Sequence, residues 1–524
     1  MKRVIQLIAD CVERLQVFFT PRRILVMSFS VALLWGALFL LFNQDIYRDV
    51  AGCYAWYARE FGRGYWNPMP VAALPPLNIF LGGLLVRCGV EAYSGLMALA
   101  VFFYVLTILP LYGILSRLAT PRMAAWGCFL FVMTPKIIRF AGMGLLESTR
   151  DFFLVTSIYF LLRSRRGEFR WPQWIGMGVS LGLLSLARGE GVVMAVGLGI
   201  ALLVRHRADY CRWRSLCRTV LLPALGVAMF ALLTIAPCLA HNYKVTGYPV
   251  IDTRAIGVIN QIPGLNKIFH DRRVVPVREY APGFGEGETR EGYDGSGAAA
   301  LARLRMLPAQ MMRGGYEFYM ILAFCGIAAL AWRRQWRGEY TFALIYCGSV
   351  SLVFCFFSVA YRYFIFLVPL LMVFTLHGIG ALGDLAGKFR LKPVLFCVVG
   401  AIITIQPWNA LGELIGDAGA KEIAMGNFLR ENRARFLPPE RAGDKLIIEP
   451  GRRVEILYWS DQARLMEYGE RVLSWKRLRG FDVLIAERKD AWLLNMLRSR
   501  DDLQEFATPC EDYLLFTPKR QEAR

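Results

Sequence analysis

The fold is decided by residues 24–42, ILVMSFSVALLWGALFLLF, a run of nineteen residues that contains no charged side chain. A helix of this length spans about 30 Å, which is the thickness of the apolar core of a bilayer. The run therefore predicts a membrane-spanning helix. The next residues, NQDIYRDVAGCYAWYARE at 43–60, bring Asp45, Arg48 and Asp49 together with Tyr54 and other aromatic residues. This mixture is typical of a membrane–water interface, and it is also compatible with the edge of a polar site.

The composition excludes a soluble protein. Of the 524 residues 56% are hydrophobic, and the mean hydropathy is +0.39. The net charge of +20 does not indicate nucleic-acid binding, because the Lys and Arg residues cluster in short loops between apolar runs, where they set membrane orientation. The twelve cysteines form no CxxC pair and show no metal-ligand spacing. We interpret most of them as small apolar core residues.

Apolar runs that can cross a bilayer recur along the chain and predict an α-helical polytopic membrane protein with about eleven transmembrane helices. A shorter apolar stretch, PPLNIFLGGLLV, lies between the first two runs and is typical of an interfacial or re-entrant segment. The predicted spans lie at 24–42, 93–115, 122–140, 147–162, 173–187, 190–204, 219–240, 316–332, 340–360, 362–382 and 393–408.

The loops also predict the orientation. With a cytoplasmic N-terminus, every internal loop, such as RSRRGEFRW or RHRADYCRWRSLCR, is rich in Lys or Arg, whereas the short external turns carry only isolated basic residues. Residues 1–23 then form a cytoplasmic basic amphipathic lead-in without an evident cleavable signal, and 24–408 form the transmembrane domain. The large loops 43–92 and 241–315 and the region 409–524 lie outside.

The two later external segments differ in composition. The second loop contains GFGEGETREGYDGSGAAA, which is compatible with a flexible linker or with a lid that orders over a substrate. In 409–524, stretches such as DKLIIEP, RVEILYW, FDVLIAER and DYLLFTP predict short strands, interleaved with a helical stretch DAWLLNMLRSRDDLQEF. We expect a small extracytoplasmic α/β domain there.

Charged residues collect at the predicted external ends of the helices. A charge at membrane depth is costly, so such residues mark function more often than chance, although a helix-end residue can also simply reach water. Carboxylates there could act as a base or hold a divalent cation, and cations could bind a phosphate, which implies a phosphate-bearing lipid substrate. The set comprises Asp45, Asp49, Lys136, Arg139, Glu147, Arg150, Asp151, Arg188, Glu190, His241, Lys244 and Arg362.

Several motifs in order resemble the GT-C membrane glycosyltransferases. The acidic start of the first external loop, followed by REFGRGYW and PPL, is similar to family 39, which includes protein O-mannosyltransferases, the lipid A aminoarabinose transferase and RgtA/B/C/D-like proteins. LLESTRDFFLVTSIYFLLR, SLARGEG, HNYKVTGYPVIDT and the YRYF that begins at Tyr361 resemble later motifs of this family. The resemblance covers roughly residues 24–410.

The resemblance implies an inverting glycosyl transfer from a polyprenyl-phosphate sugar to an extracytoplasmic lipid, glycan or protein. Asp49, with Asp45 as second choice, would be the catalytic base or a metal ligand, and Glu147 would position the acceptor or the metal. A divalent cation such as Mg²⁺ or Mn²⁺ is compatible with these carboxylates but is not required. Two departures weaken the match: Ile46 follows Asp45 where the family often has an Asp-Glu pair, and Gly189 replaces the usual proline.

The remaining site residues also follow from the resemblance. Arg48, Arg188, Lys244 and Arg362 would bind the donor phosphate. An acceptor that is itself a phosphate would need no strong base, which would leave Asp49 a positioning role. The implied location is a bacterial inner membrane. Supporting residues would be Tyr54, Arg150, Asp151, Glu190, His241 and Tyr361.

Two other classes of protein fit part of the pattern. A transporter or flippase of lipid-linked sugars would show internal repeats and broken helices at matching positions of two halves, and no convincing repeat is found. A non-catalytic scaffold would not need acidic residues at the helix ends. The glycosyltransferase is therefore the favoured interpretation.

Overall fold

The computed structural model describes most of the membrane region and part of the C-terminal region. Residues 1–18 lie outside the described residues, and so do Asp45, Arg48 and Asp49. Of the glycine-rich stretch 283–300, only 297–300 are described. The described residues are 19–43, 47, 50–64, 74–163, 171–205, 217–246, 249, 251, 297–354, 361–388, 391–415, 420–437, 447–449, 464–465, 483–488, 491–508 and 510–518.

The described part of the membrane region is helical. Two π-helical turns, Val50–Ala55 and Cys217–Leu221, and one 3-10 turn, Tyr361–Phe364, interrupt the α-helices. The α-helices are α1 (Pro21–Phe42), α2 (Trp56–Gly62), α3 (Pro76–Arg87), α4 (Ala92–Leu118), α5 (Pro121–Val132), α6 (Pro135–Gly142), α7 (Glu147–Arg163), α8 (Trp171–Ala187), α9 (Gly191–Arg205), α10 (Leu222–Thr246), α11 (Gly297–Gly314), α12 (Glu317–Trp332), α13 (Gly338–Phe354), α14 (Leu367–Lys388) and α15 (Lys392–Ile415).

Every predicted span overlaps one of these helices or a pair of them, although residues 355–360 of the span predicted at 340–360 lie outside the described residues. Among the described residues, α1, α4, α10 and α14 are long and apolar enough to cross a membrane, and the bent pairs α5–α6 and α11–α12 raise the number to six. The structure is therefore a multi-pass helical membrane fold, while the total of eleven spans stays a prediction. The stretch predicted to be interfacial or re-entrant is the short helix α3.

The predicted span 122–140 is divided into α5 and α6, which are bent by 53° relative to each other. The break follows from Pro135, which has no N–H to continue the helix and disfavours the helical conformation of the residue before it. Thr134 is accordingly extended, with φ −74° and ψ 115°. Its hydroxyl donates to the carbonyl of Leu130 at 3.0 Å and so satisfies an acceptor near the end of α5.

The bundle is held by close helix packing. Gly326 of α12 and Gly378 of α14 face each other, because a Cβ at either position would lie 1.9 Å from a carbonyl oxygen of the opposite helix, Phe374 or Leu322. Small residues allow such an approach in membrane proteins, where van der Waals contact replaces the hydrophobic effect as the driving force.

The C-terminal region contains α16 (Ala420–Glu431), α17 (Arg433–Phe436), α18 (Ala491–Arg498) and a mixed five-stranded sheet. The strand order is β2-β1-β3-β5-β4, with β1 parallel to β2 and β3, and β5 antiparallel to β3 and β4. The strands are β1 (Ile447–Glu449), β2 (Arg464–Leu465), β3 (Val483–Glu487), β4 (Leu503–Phe506) and β5 (Tyr513–Pro518).

The predicted helix over 490–506 is wrong in its second half. The helix ends at Arg498, and Leu503–Phe506 forms β4, which pairs with β5. The chain turns between Arg498 and Leu503, and this turn ends the helix. Arg500 and Asp502 form an ion pair within the turn. The strand predicted at 453–459 lies outside the described residues.

The C-terminal region contacts the segment between α1 and α3. Trp56, the first residue of α2, packs against an apolar cluster that includes Met425, Leu429, Phe436 and Ile485. The first loop and the C-terminal domain therefore lie at the same end of the helical bundle.

Candidate active site

Three segments meet at one end of the helical bundle. They are the start of α7, the turn between α8 and α9, and the 3-10 turn before α14. The chain reaches α7 through Gly144, whose φ of +68° belongs to the left-handed region that glycine favours. A Cβ there would also lie 3.2 Å from the backbone nitrogen of Met97 in α4. This close approach places Glu147 inside the bundle, where it is 1% exposed.

Arg188 links two carboxylates at the centre of the site. Its Nη1 donates to Glu147 Oε1 at 2.5 Å, and its Nε and Nη2 donate to the two oxygens of Glu190, each at 3.1 Å. Glu147 and Arg188 are buried, while the Glu190 side chain is 20% exposed. A buried charge persists only when it is paired and hydrogen-bonded. The arginine therefore pairs with the buried Glu147 carboxylate and fixes its orientation.

The Glu147 carboxyl group is only half satisfied. Its Oε2 is buried, and no described residue donates a hydrogen bond to it. A buried charged acceptor without a partner is costly, so this oxygen marks a place where a substrate hydroxyl, a water or a cation would be bound.

The YRYF turn brings one further cation, Arg362, to the same place. The guanidinium carbons of Arg188 and Arg362 both lie 5.4 Å from the centroid of the Tyr363 ring. Cations within about 6 Å of an aromatic ring are attracted to its face. Positive charge is thus concentrated around one tyrosine, next to the Glu147 carboxylate.

Lys136 of α6 completes the group. Its ammonium lies 5.7 Å from the ring centroid of Tyr361 and 3.4 Å from Glu317 Oε2. It also donates to the backbone carbonyl of Arg313. The break between α5 and α6 is what brings this lysine to the end of α11 and the start of α12.

A second buried ion pair lies one turn into α7. Arg150 Nε donates to Asp151 Oδ1 at 2.8 Å, and both residues are almost fully buried. The Nη2 of Arg150 also lies 2.8 Å from Asp151 Oδ1. The hydroxyl of Tyr346 is buried without a hydrogen-bond partner among the described residues. The polar interior therefore continues from Glu147 into the bundle.

The residues on both sides of the segment 44–49, which contains the predicted aspartates, are packed into the bundle. At the end of α1, the buried Asn43 donates to the carbonyl of Gly142 at 2.7 Å and to the hydroxyl of Tyr93 at 3.1 Å. After the segment, Val50 and Tyr54 are buried. Asp45, Arg48 and Asp49 themselves lie outside the described residues, so their roles stay predictions.

The other predicted residues are only partly brought together. Glu147, Arg188, Glu190 and Arg362 are connected through ion pairs and the Tyr363 ring. Tyr361 lies in the same turn and contacts Lys136, and Arg150 and Asp151 lie one turn further along α7. His241 and Lys244 lie in the last turns of α10, and Lys244 is exposed; their assignment to the site stays a prediction.

Sequence reasoning did not identify three site residues. Tyr363 and Tyr346 sit in apolar, aromatic-rich stretches that resemble any membrane helix. Glu317 lies at the start of an apolar span, where a single charge is ordinary. The only signal for Tyr363 was its place in the YRYF motif, where Tyr361 and Arg362 had been selected.

The described residues do not form a metal site of their own. No group of three His, Cys, Asp or Glu side chains lies close enough within the described ranges to hold an ion. Glu147 and Glu190 are both bound to Arg188, which leaves Glu147 Oε2 as the one buried carboxylate oxygen available in this cluster.

No protein-family model matches the chain. Curated protein sequences likewise contain no match. Solved structures, in contrast, match it along most of its length. ArnT from Cupriavidus metallidurans bound to undecaprenyl phosphate aligns with a TM-score of 0.62 at 14% identity, covering 95% of this chain and 98% of that chain. The chain has the GT-C fold. The apo structure of the same ArnT aligns with a TM-score of 0.63.

A second GT-C protein matches less completely. The oligosaccharyltransferase AglB from Archaeoglobus fulgidus, in complex with an inhibitory peptide and a dolichol-phosphate, aligns with a TM-score of 0.53 at 12% identity. The alignment covers 95% of this chain and 75% of AglB. The predicted fold class is confirmed, including its similarity to the ArnT architecture.

Proposed function

We propose that this protein is a membrane glycosyltransferase that moves a sugar from a polyprenyl-phosphate donor to an extracytoplasmic lipid, glycan or protein. The observation that carries the proposal is the buried Glu147–Arg188 ion pair at the helix ends of a GT-C fold. Arg188 also binds the half-buried Glu190, and the second carboxylate oxygen of Glu147 has no partner among the described residues. Two of the matching structures contain the expected lipid class, undecaprenyl phosphate in ArnT and dolichol-phosphate in AglB.

The reaction assigns a distinct role to each charge. The acceptor atom attacks the anomeric carbon of the sugar while the bond from that carbon to the phosphate oxygen breaks, and the polyprenyl phosphate leaves with the electron pair. Asp49 takes the acceptor proton, with Asp45 as the second candidate. A phosphate acceptor carries no proton that must be removed, and Asp49 then positions it.

The geometry refines the predicted role of Glu147 and Arg188. Since Arg188 already pairs with two carboxylates, its main task is to hold Glu147, whose Oε2 then binds a hydroxyl of the sugar or the acceptor. The negative charge that develops on the leaving phosphate is taken up by Arg362 beside Tyr363, by Lys244 and by Arg48.

The proposed location is the external face of a bacterial inner membrane, with the N-terminus in the cytoplasm. The basic internal loops support this orientation. The contact between Trp56 and the C-terminal domain supports it too, because both belong to segments that the loop charges place outside. The C-terminal domain then lies above the site, on the side from which an acceptor arrives.

The test is donor cleavage by the purified full-length protein with a synthetic undecaprenyl-phosphate sugar and a candidate acceptor. We expect release of undecaprenyl phosphate, a loss of about 100-fold or more in Asp49→Asn, and a loss of about 10- to 100-fold in Glu147→Gln. Arg333→Gln is the matched control, because its exposed ion pair with Asp384 involves none of the site residues.

Two outcomes would contradict the proposal. A flippase would move the lipid-linked sugar across a vesicle bilayer and leave the sugar–phosphate bond intact. Equal turnover in wild type and Glu147→Gln would remove Glu147 from the site.

A further inference from the structure

A cavity of about 580 Å³ lies at the opposite end of the bundle from Glu147. It is bordered by the end of α4 at Leu118, the start of α5 at Thr120, the end of α12 at Leu330 and the start of α13 at Tyr340. The bent pair α5–α6 runs from this cavity to Lys136 at the site, a length on the order of 25 Å. The cavity is therefore separate from the proposed active site.

An arginine in a strained backbone position lines the cavity. Arg334 has φ +53°, and the chain around it forms a Schellman motif: its N–H donates to Ala331 and the N–H of Gln335 donates to Leu330. Glycine normally occupies this position, because a side chain there is strained. Since the fold alone would favour glycine, an arginine whose side chain borders a cavity points to a role for its guanidinium.

The electrostatics of the cavity favour an anion. Arg334 and Arg337 both line it, and no acidic residue is among the described residues of its wall. The neighbouring Arg333 is already paired with Asp384 at 2.8 Å and is not part of the wall. The N-terminus of α5 also faces the cavity through Thr120 and Met123, and the positive end of a helix dipole adds to the attraction for an anion.

The aromatic residues around the cavity indicate a membrane interface. Trp336 lines the cavity and is 38% exposed, and Trp332 at the end of α12 is 89% exposed. Tryptophan is enriched where apolar chains meet lipid headgroups. The loop-charge pattern predicts this end of the bundle to be cytoplasmic, where anionic lipids bind in basic pockets between membrane helices.

We propose that this cavity binds the phosphate headgroup of an anionic phospholipid of the phosphatidylglycerol type. Arg334 and Arg337 bind the phosphate, and Trp336 packs against the glycerol backbone. The proposal is independent of the glycosyl-transfer reaction, because none of these residues reaches the Glu147 site.

The experiment measures binding of short-chain phosphatidylglycerol to the purified full-length protein, by the shift in thermal unfolding midpoint and by native mass spectrometry. We expect wild type to bind this lipid, while Arg334→Gly and Arg337→Gln each bind it about fivefold more weakly. Arg334→Gly should also unfold at a higher temperature than wild type without lipid, since glycine relieves the backbone strain. This gain shows that lost binding does not come from misfolding.

Controls separate the lipid from other sources of phosphate. Arg163→Gln removes one basic charge from the same end of the bundle outside the cavity and should bind as wild type. Short-chain phosphatidylcholine and inorganic phosphate should produce no comparable shift. The proposal is overturned if inorganic phosphate binds as well as the lipid, or if Arg334→Gly and Arg337→Gln retain wild-type affinity.

Discussion

Removing the arginine between the two carboxylates should destabilise the protein strongly. In Arg188→Gln the Glu147 carboxylate, whose side chain is 2% exposed, loses its ion pair and remains buried. Breaking a buried pair in this way costs about 3–5 kcal/mol. Glu190 contributes little to that loss, because its side chain is 20% exposed and can be hydrated.

The double variant Glu147→Gln/Arg188→Gln separates charge from packing. It removes both buried charges and should lose only the hydrogen bonds, about 1–2 kcal/mol. Adding Glu147→Gln to Arg188→Gln should thus recover about 2–3 kcal/mol of the unfolding free energy that Arg188→Gln loses. Unfolding of the full-length protein in mixed detergent, followed by tryptophan fluorescence, measures these differences.

Arg333→Gln is the control, because its ion pair with Asp384 is exposed on both sides and should contribute no more than about 1 kcal/mol. If Arg188→Gln is as stable as this control, or if the double variant is less stable than Arg188→Gln, then Arg188 does not neutralise a buried Glu147.

Three further outcomes are expected. Trp56→Ala should make the C-terminal domain more sensitive to limited proteolysis at neutral pH, and unchanged cleavage would show that the contact with α2 does not hold the domain. Gly326→Ala should cost about 1–3 kcal/mol or more in detergent unfolding, because the new methyl group would meet the Phe374 carbonyl; a neutral effect would mean that α12 and α14 are farther apart. The hydrogen bond from Arg498 lowers the pKa of Glu505, so this pair stabilises the domain above the unfolded pKa of Glu505 and the stability is lost as the pH falls through the folded pKa. Arg498→Gln should therefore be less stable than wild type at pH 7 and equal to it at about pH 2, as followed by circular dichroism.

Much of the membrane fold could be predicted because its determinants are local. Most apolar runs set one helix, and the basic loops predict the direction of each helix, so Glu147 and Arg188 were expected at one end of the bundle. The break at Pro135 was harder to predict, because a proline near the end of an apolar run can also simply terminate it.

The pairing inside the site could not be predicted, since it depends on tertiary contacts. The predicted role of Arg188 was phosphate binding. Its bidentate contact with Glu190 is local, since the two residues share the turn between α8 and α9. Its contact with Glu147 appears only when α7 packs beside that turn. In the C-terminal domain, LQEF continues a helical pattern by composition. It forms β4 instead because its pairing with β5 outweighs its weak local preference.

The most direct test of the proposed function is a structure of the full-length protein with an undecaprenyl-phosphate sugar in lipid nanodiscs. We expect the phosphate beside Arg362 and Tyr363, and a sugar hydroxyl within hydrogen-bond distance of Glu147 Oε2. The Glu147–Arg188 ion pair should be retained. A donor phosphate bound at the opposite end of the bundle, or a Glu147 carboxylate that faces no ligand, would contradict a glycosyltransferase site at these helix ends.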